Sequence, residues 1–407
     1  MTEIFIGRQA IFNRKMEVYA YELLYRSCET NTADFSDPDL ATTQVTLNTI
    51  IEMGLNKIIN NSKAFINLTR NFIAGNYPIL LPPNRTVIEI PENIETDDEL
   101  LSALRRLQKD GYTIALDDVI ALDRITPYHN IVSIVKLDLK LIEPQALPDM
   151  IRSVKEQGFL VLAEKVETIE EFKLCYHLGV DYFQGYFLCK PNIIHGKKMD
   201  SSRMVIIRTL ALIQNPKTKL SDLEHIISQD VGLCFKILRL TNSGYYSFIS
   251  EVKSIRQAIA LIGTDTVRGW LSLLMMTQLN DKPIELTNIA LLRAYMAESL
   301  ARNLKHPQPE VCFLVGLFSV LDALLDQPME KIVKEINLSQ SVADALLYRE
   351  GLPGYILNMV INYEQGEWTN LKYPNMMVET ISNVYFDSIK WSNILSQEIH
   401  GNIPVAN

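Results

Sequence analysis

The strongest constraint on the fold is a change of pattern near residue 195. Before it, short runs rich in β-branched residues alternate with longer amphipathic stretches, as in Thr86–Ile90 followed by Asp97–Lys109. After it, almost every segment has the period of a helix. Regular strand–helix alternation is typical of parallel βα units. We therefore expect an α/β domain over residues 1–198, followed by an all-α domain over residues 199–407.

The first half contains enough βα units to close into a ring. Strands are predicted at Glu17–Leu24, Ala64–Leu68, Thr86–Ile90, Thr113–Leu116, Ser133–Leu137, Leu160–Ala163 and Tyr182–Phe183. Between them, helices are predicted at Thr43–Ile59, Asp97–Lys109, Leu147–Glu156 and Thr168–Leu178. A (β/α)8 TIM-like barrel is the natural architecture at this size, although periodicity alone does not distinguish it from an open sheet.

The second half is predicted to be a helical domain. Helices are expected at Met204–Gln214, Leu220–Ser228, Gly232–Thr241, Ile255–Ile262, Thr266–Met276, Asn288–Asn303 and Pro309–Leu325. Apolar residues such as Ile255, Ala258 and Ile259 share one helix face, which is typical of a packed core and not of a cofactor site.

Composition narrows the functional classes. The net charge is −9 with no long basic run, which argues against nucleic acid as a partner. The five cysteines are scattered without metal-ligand spacing, so we expect free thiols in a reducing compartment. The N-terminus lacks the pattern of a signal peptide, and no apolar run is long enough to cross a bilayer. We expect a cytoplasmic protein without a membrane span.

Polar residues recur at the ends of the predicted strands. They are Glu22, Asn67, Glu89, Asp117, Asp118, Lys136, Glu164, Glu167 and Gln184. Taken singly, each of these residues is explained as a solvated surface or loop residue. The pair Asp117–Asp118 taken alone is explained as well by a turn or a helix cap as by a functional site. In a βα barrel, however, the strand ends converge on one face, where so many carboxylates need neutralising cations. Oxygen ligands suit Mg²⁺ or Mn²⁺, and a pair of such ions is a common way to cleave a phosphodiester.

These residues and their order resemble the EAL family of cyclic-di-GMP phosphodiesterase domains, which function in bacterial signalling. The E-x-L-x-R motif is Glu22, Leu24 and Arg26, and the further motifs are Asn67-Leu68-Thr69, Glu89 to Glu92, Asp117-Asp118, Lys136 with Asp138, Glu164 to Glu167, and Gln184-Gly185-Tyr186-Phe187 followed by Lys190-Pro191. The resemblance covers the whole first half in order.

The resemblance implies a role for each matched position. Glu22, Asn67, Glu89 and Asp117 would hold one Mg²⁺ or Mn²⁺ ion; Asp117 and Asp118 would hold a second, helped by Glu164 or Glu167 through water. Lys136 would contact the attacking water and Glu164 would act as general base. Leu24, Arg26, Gln184 and Pro191 would contact the substrate, and Glu92 would steady a loop.

One loop departs from the family pattern. After the paired aspartates the family has Phe-Gly-Thr-Gly, whereas this chain has Val119-Ile120-Ala121-Leu122-Asp123-Arg124, without glycine. A loop that needs glycine dihedrals cannot take the same path here, and Glu92 loses its expected partner. Two hypotheses therefore stand. One is an enzyme that hydrolyses cyclic-di-GMP to linear pGpG; the other is a catalytically weak domain that binds cyclic-di-GMP as an effector or scaffold.

The second half resembles the HDOD family. The matching stretch is Leu220–Ile262, with Gln229-Asp230, Lys236, Leu238-Arg239-Leu240 and Asn242-Ser243 as its motif residues. HDOD domains are relatives of metal-dependent HD phosphohydrolases that have lost the His and Asp ligands, and here Ser319 and Val320 occupy that place. We expect no chemistry there, with Asp322 and Asp326 as acids on the helix surface. The implied role is regulation, homodimer contact or docking of a protein partner.

Overall fold

Two compact units divide the chain, one consisting mainly of residues 1–190 and the other mainly of residues 191–361 and 383–407. A computed structural model describes residues 4–27, 55–190, 201–215, 217–228, 231–242, 252–277, 282–336, 338–367, 376 and 378–400. The first unit is built on strands and helices, and the second is helical throughout its described residues. The predicted fold class, α/β followed by all-α, is confirmed.

The strands of the first unit form a closed barrel. They are β1 (Ile4–Asn13), β2 (Val18–Ser27), β3 (Lys63–Asn67), β4 (Thr86–Ile90), β5 (Thr113–Leu116), β6 (Ile134–Asp138), β7 (Leu160–Glu164) and β8 (Tyr182–Gln184). Each strand pairs with the next along the chain, and β1 also pairs with β8, so the sheet has no free edge. The structure thereby decides for a closed barrel over an open sheet.

The first strand was not anticipated from the sequence, and it runs against the parallel pattern. β1 is antiparallel to both β2 and β8, whereas the pairings from β2 to β8 are parallel. A tight turn between β1 and β2 accounts for this direction. The side chain of Asn13 accepts hydrogen bonds from the backbone amides of Lys15 and Glu17, and Met16 adopts a left-handed φ of 63°.

Helices follow most of the parallel strands. They are α1 (Leu55–Ile59), α2 (Arg70–Ala74), α3 (Asp98–Lys109), α4 (Leu147–Glu156) and α5 (Ile169–His177). Asp97 and Thr168 cap α3 and α5 with their side chains, and Thr168 forms a reciprocal capping box with Glu171. These two predicted helices therefore begin one residue late, because their first residue is the cap. Of the predicted helix Thr43–Ile59, only Leu55–Ile59 lies within the described residues.

The inside of the barrel is arranged in layers. One apolar layer consists of Ile11, Ala20, Phe65, Val87, Ala115, Ile134 and Leu162, all fully buried. Residues of the opposite parity, such as Ile88 and Val135, belong to the larger cluster between the strands and the helices. Because side chains alternate across a strand, the residues two positions away from the apolar layer also point into the barrel.

The second unit is a set of packed helices. They are α6 (Ser201–Gln214), α7 (Leu220–Ser228), α8 (Val231–Thr241), α9 (Ile255–Ile262), α10 (Thr264–Met276), α11 (Ile284–Asn303), α12 (Pro309–Phe318), α13 (Leu321–Leu325), α14 (Met329–Ile336), α15 (Gln340–Tyr348), α16 (Gly351–Glu364) and α17 (Val378–His400). No single helix within the described residues is both long and apolar enough to cross a membrane; α9 and α10 satisfy that test only as a pair, which is bent by 119° at its break.

Two expectations for this unit are wrong. The predicted helix Pro309–Leu325 is interrupted between α12 and α13, where the hydroxyl of Ser319 donates to the carbonyl of Gly316 at 2.7 Å and competes with the helical pattern. Asp326 is not a surface acid. Its carboxylate is mostly buried and pairs with Arg203 at 2.6 Å and Lys282 at 2.7 Å.

Candidate metal centre

The polar residues at the strand ends form a second layer inside the barrel. Glu22, Asn67, Glu89, Asp117, Lys136 and Glu164 each follow a residue of the apolar layer by two positions. The alternation of a strand therefore turns them toward the same side, one layer closer to the carboxyl ends of the parallel strands, where Asn67 is exposed and the other five are buried or half-buried.

Lys136 lies at the centre of this layer, buried to 1% exposure. Its ammonium nitrogen is 2.5 Å from a carboxylate oxygen of Glu89, 2.8 Å from Asp117, 2.9 Å from Glu164 and 3.5 Å from Glu22. Four carboxylates around one ammonium carry a formal charge of −3 when all are ionised. The sequence predicted the members of this group but not its arrangement around the lysine.

The crowding changes the protonation of the group. Burial raises the pKa of Glu89 well above its ordinary value, and the neighbouring Glu22 adds to the effect. Burial likewise raises the pKa of Glu164 to about 8, with Lys136 opposing the shift and Asp117 reinforcing it. Burial opposes the charge of Lys136, yet the surrounding carboxylates outweigh it and raise the pKa of this lysine well above 10.5.

Three carboxylates offer oxygens close enough to share a cation. Oxygen atoms of Asp117, Asp118 and Glu164 all lie within 4.8 Å of one another. Asp118 adopts a left-handed φ of 45°, which is uncommon for a residue with a side chain. Its pKa is raised by burial and by the adjacent Asp117. The paired aspartates are thus brought together with the predicted base, as the strand positions indicated.

Gln184 links the last strand to the acidic layer. Its side-chain nitrogen donates to Glu22 at 2.5 Å and to the side-chain oxygen of Gln9 at 2.9 Å. Gln9 lies directly opposite Glu22 in the register of β1 and β2. Sequence reasoning missed Gln9. A signal was present, because Gln9 is two positions from Ile11 of the apolar layer, but it precedes that residue since β1 runs in the opposite direction.

Other predicted residues lie further out. Asn67 is opposite Glu89 in the register of β3 and β4 but is exposed. Glu167 is exposed and pairs with Lys140 at 3.1 Å. Glu92 is also exposed, and its charge contributes to raising the pKa of Asp118. Leu24 is half-buried near the end of β2. The backbone of Arg26 pairs with Phe5 in β1, but its side chain, like the whole of Pro191, lies outside the described residues.

The residues of the acidic layer fit a divalent cation. One carboxylate oxygen of Glu89 contacts the ammonium of Lys136 at 2.5 Å, whereas its other oxygen and the side-chain oxygen of Gln184 are buried and accept no hydrogen bond from the described residues. Buried oxygens in this condition are costly unless a cation or water serves them. An all-oxygen donor set with excess negative charge is the chemistry that Mg²⁺ and Mn²⁺ prefer.

The helical unit shows no comparable group in the part of the chain that the structure describes. At the place expected for a His-Asp pair, Ser319 accepts a hydrogen bond from Arg293 at 3.2 Å, and Val320 is fully buried. Neither arrangement offers a metal ligand.

Comparison with known proteins gives the family. The EAL domain model matches residues 44–191, and the HDOD domain model matches residues 200–344. The uncharacterised protein YuxH of Bacillus subtilis is 32% identical over 403 residues, which is 96% of this chain and 98% of that protein. The cyclic di-GMP phosphodiesterase CdgJ of Vibrio cholerae is 31% identical over 411 residues, 98% of this chain and 94% of that protein.

Solved structures were also found. YkuI of Bacillus subtilis, an EAL-domain protein in complex with cyclic-di-GMP and calcium, is 22% identical over 64% of this chain and 73% of that chain, with a TM-score of 0.39. A manganese and cyclic-di-GMP complex of BlrP1 from Klebsiella pneumoniae is 22% identical over 46% of this chain and 55% of that chain, with a TM-score of 0.38. From the family models and the relatives that match nearly end to end, the chain belongs to the family of two-domain proteins that join an EAL domain to an HDOD domain.

Proposed function

We propose that this protein is a Mg²⁺- or Mn²⁺-dependent phosphodiesterase that hydrolyses cyclic-di-GMP to linear pGpG. The observation that carries the proposal is the cluster of Asp117, Asp118 and Glu164, whose oxygens lie within 4.8 Å of one another beside the buried Lys136. The 31% identical CdgJ, named a cyclic di-GMP phosphodiesterase, supports the choice of substrate.

Each residue has a proposed task at this centre. Glu22, Asn67, Glu89 and Asp117 would hold one cation; Asp117 and Asp118 would hold a second, with Glu164 or Glu167 acting through water. A cation pair of this kind makes water nucleophilic at neutral pH and neutralises the charge of the phosphodiester.

The remaining residues act on the proton and the substrate. Glu164 would accept the proton of the attacking water, and Lys136 would keep the carboxylates gathered while contacting that water. Leu24, Arg26, Gln184 and Pro191 would bind the dinucleotide, with the guanidinium of Arg26 suited to a phosphate. The hydrogen bonds of Gln184 to Glu22 and Gln9 support a second task for it, which is to orient the first metal ligand.

A second candidate function rests on the loop after the aspartates. Residues 119–124 contain no glycine where the family has two, so the loop cannot copy the family's path. In this alternative the domain binds cyclic-di-GMP through the same residues, cleaves it slowly or not at all, and works as an effector or scaffold. Glu92 would then have lost its loop-stabilising task.

For the second domain we propose regulation of the barrel through a homodimer contact or a protein partner, without nucleic acid. Its proposed beginning is residue 199, which is compatible with the HDOD match from residue 200 and with α6 starting at Ser201.

The cytoplasm is the proposed compartment, since the cysteines of the described residues, namely Cys175, Cys189, Cys234 and Cys312, are all free thiols.

The test is incubation of the full chain with cyclic-di-GMP and either Mn²⁺ or Mg²⁺, followed by chromatography of the nucleotides. We expect pGpG from the parent protein and from Glu156→Ala, which removes an exposed carboxylate of α4. Glu22→Ala should abolish product. Cyclic-di-GMP binding without product would select the effector, and absence of binding would leave only a scaffold.

A further inference from the structure

Arg124, in the loop that departs from the family pattern, contacts the backbone of the paired aspartates. One nitrogen of its guanidinium donates to the carbonyl of Asp117 at 2.7 Å and to the carbonyl of Asp118 at 3.0 Å. Arg124 is the last residue of a short 3-10 turn, Leu122–Arg124, and is half-buried. A residue outside every recognised motif thus reaches both members of the acidic pair.

The other backbone groups of this segment are fixed by the neighbouring strands. The amide of Asp117 donates to the carbonyl of Ile90 after β4, and the amide of Val119 donates to the carbonyl of Lys136 in β6, each at 3.1 Å. Arg124 supplies a charged donor to the two carbonyls between those anchors. Together these contacts engage four backbone groups of residues 117–119.

The segment needs such support because Asp118 has a left-handed φ of 45°. For a residue with a Cβ this conformation costs roughly 1–2 kcal/mol, and glycine would adopt it without that cost. In this conformation a carboxylate oxygen of Asp118 lies within 4.8 Å of oxygens of Asp117 and Glu164, and a change of the backbone dihedrals at Asp118 would move its side chain. Contacts that fix this backbone therefore also fix the positions of the candidate metal ligands Asp117 and Asp118.

We propose that Arg124 is a positioning residue for the metal centre: its guanidinium clamps the carbonyls of Asp117 and Asp118 and so keeps both carboxylates directed at the shared cation site. In a loop that has no glycine, these contacts of Arg124 would order the backbone of the paired aspartates. An ammonium is a compact point charge that lacks the planar, rigid array of donors of a guanidinium, so lysine replaces arginine only in part. The kinetic part of the proposal rests on the proposed function, but the metal-binding part does not.

The test measures Mn²⁺ binding to the full chain directly, from the loss of the free-ion signal in electron paramagnetic resonance and from calorimetry. Loss of residues that orient metal ligands typically lowers affinity by about 10–100-fold. We expect a decrease of that size for Arg124→Gln and a smaller one for Arg124→Lys. The matched control is Arg152→Gln, which removes an exposed guanidinium that pairs with Asp149 at 3.1 Å and should leave Mn²⁺ affinity unchanged.

If cyclic-di-GMP is hydrolysed, the kinetics give a second readout. In Arg124→Gln the Mn²⁺ concentration for half-maximal rate should rise by the same factor as the dissociation constant, with much of kcat recovered at saturating Mn²⁺. A parent protein that binds Mn²⁺ without turnover would overturn the proposed function and leave the clamp testable by affinity. Parent-like Mn²⁺ affinity in folded Arg124→Gln would overturn the clamp; if that variant does not fold, parent-like affinity in Arg124→Lys does so.

Discussion

The ammonium of Lys136 lies 2.5 Å from a carboxylate oxygen of Glu89, and the two side chains are exposed by only 1% and 0%. Such a contact in the interior of a barrel requires both charges to be compensated, because an isolated buried charge is very costly. Lys136 has three further carboxylates within 3.5 Å. One ammonium therefore faces four carboxylates and cannot neutralise all of their negative charge. We therefore expect cation binding at this acidic layer to stabilise the barrel.

Removing the ammonium of Lys136 should lower the stability of the protein in a way that depends on bound cations. Lys136→Met is expected to destabilise the metal-free protein by about 3–5 kcal/mol, because it leaves buried carboxylates without their counter-ion. Saturating Mn²⁺ should recover part of that loss by mass action. Urea unfolding in chelator and in Mn²⁺ measures both. Lys109→Met, at an exposed position of α3, should change little, and equal stability of the two variants would contradict this account of the site.

The metal-free protein should lose stability as the pH rises. Burial raises the pKa of Glu164 to about 8 in the folded state, against an ordinary value of 4.5, so the folded state binds more protons in between. Its contribution to stability is therefore present at acidic pH and lost as the pH rises toward 8. Melting temperatures in chelator should fall over this range, and the fall should be shallower in Glu164→Gln. A parallel pH dependence in the two proteins would argue against this role of Glu164.

Gln9 should matter to turnover although it is outside every motif. In Gln9→Ala, the amide of Gln184 loses one of its two acceptors, and the orientation of Glu22 is less well defined. A hydrogen bond is worth about 0.5–1.5 kcal/mol, so we expect a decrease in kcat of roughly 2–10-fold with little change in fold. Gln108→Ala is the control, because among the described residues that exposed amide donates to the carbonyl of Asn130 alone. Unchanged kcat in Gln9→Ala would remove Gln9 from the site.

Gly185 should tolerate no side chain. A Cβ at this position would lie 2.1 Å from the carbonyl oxygen of Val166, and φ is 146°. Gly185→Ala is expected to cost about 3 kcal/mol or more, because backbone must move to relieve the overlap. Gly158 also has a positive φ, of 86°, but a Cβ there would meet no atom within 4 Å, so for Gly158→Ala only a dihedral cost of about 1 kcal/mol applies. Similar unfolding midpoints for the two variants would show that the close approach does not matter.

In the helical unit, Asp326 should be a stability residue. Asp326→Ala would leave Arg203 and Lys282 close together without their shared carboxylate, a loss expected to cost about 3 kcal/mol or more. Asp387→Ala, which removes an exposed partner of Lys390, should cost less than about 1 kcal/mol. Chemical unfolding followed by circular dichroism compares them, and a cost for Asp326→Ala no larger than the control would contradict the buried pairing.

The sequence was sufficient to predict the acidic layer because one rule governs it. Glu22, Glu89 and Asp117 each stand two positions after a residue of the apolar layer, on strands that run in the same direction, so their convergence follows from the topology. The rule fails for Gln9, whose strand runs the other way. It also says nothing about side-chain reach, which is why the enclosure of Lys136 by four carboxylates was not foreseen.

Residues that act through backbone contacts were the least predictable. Nothing in the spacing of Arg124 indicates that it reaches the carbonyl of Asp117, since that depends on the path of an irregular loop. The break of the predicted helix at Ser319 depends similarly on one hydroxyl that bonds to its own turn. Helix ends, by contrast, were predicted to within a residue where a side-chain cap such as Asp97 marks them.

The antiparallel first strand makes the order of synthesis important for this barrel. Because β1 pairs with β8, the ring cannot be sealed until residues 182–184 have left the ribosome, long after β1 itself was made. Gln184 arrives with that last strand and brings the contacts to Gln9 and Glu22 with it. The strand that seals the ring therefore also supplies the last side chain of the candidate metal centre.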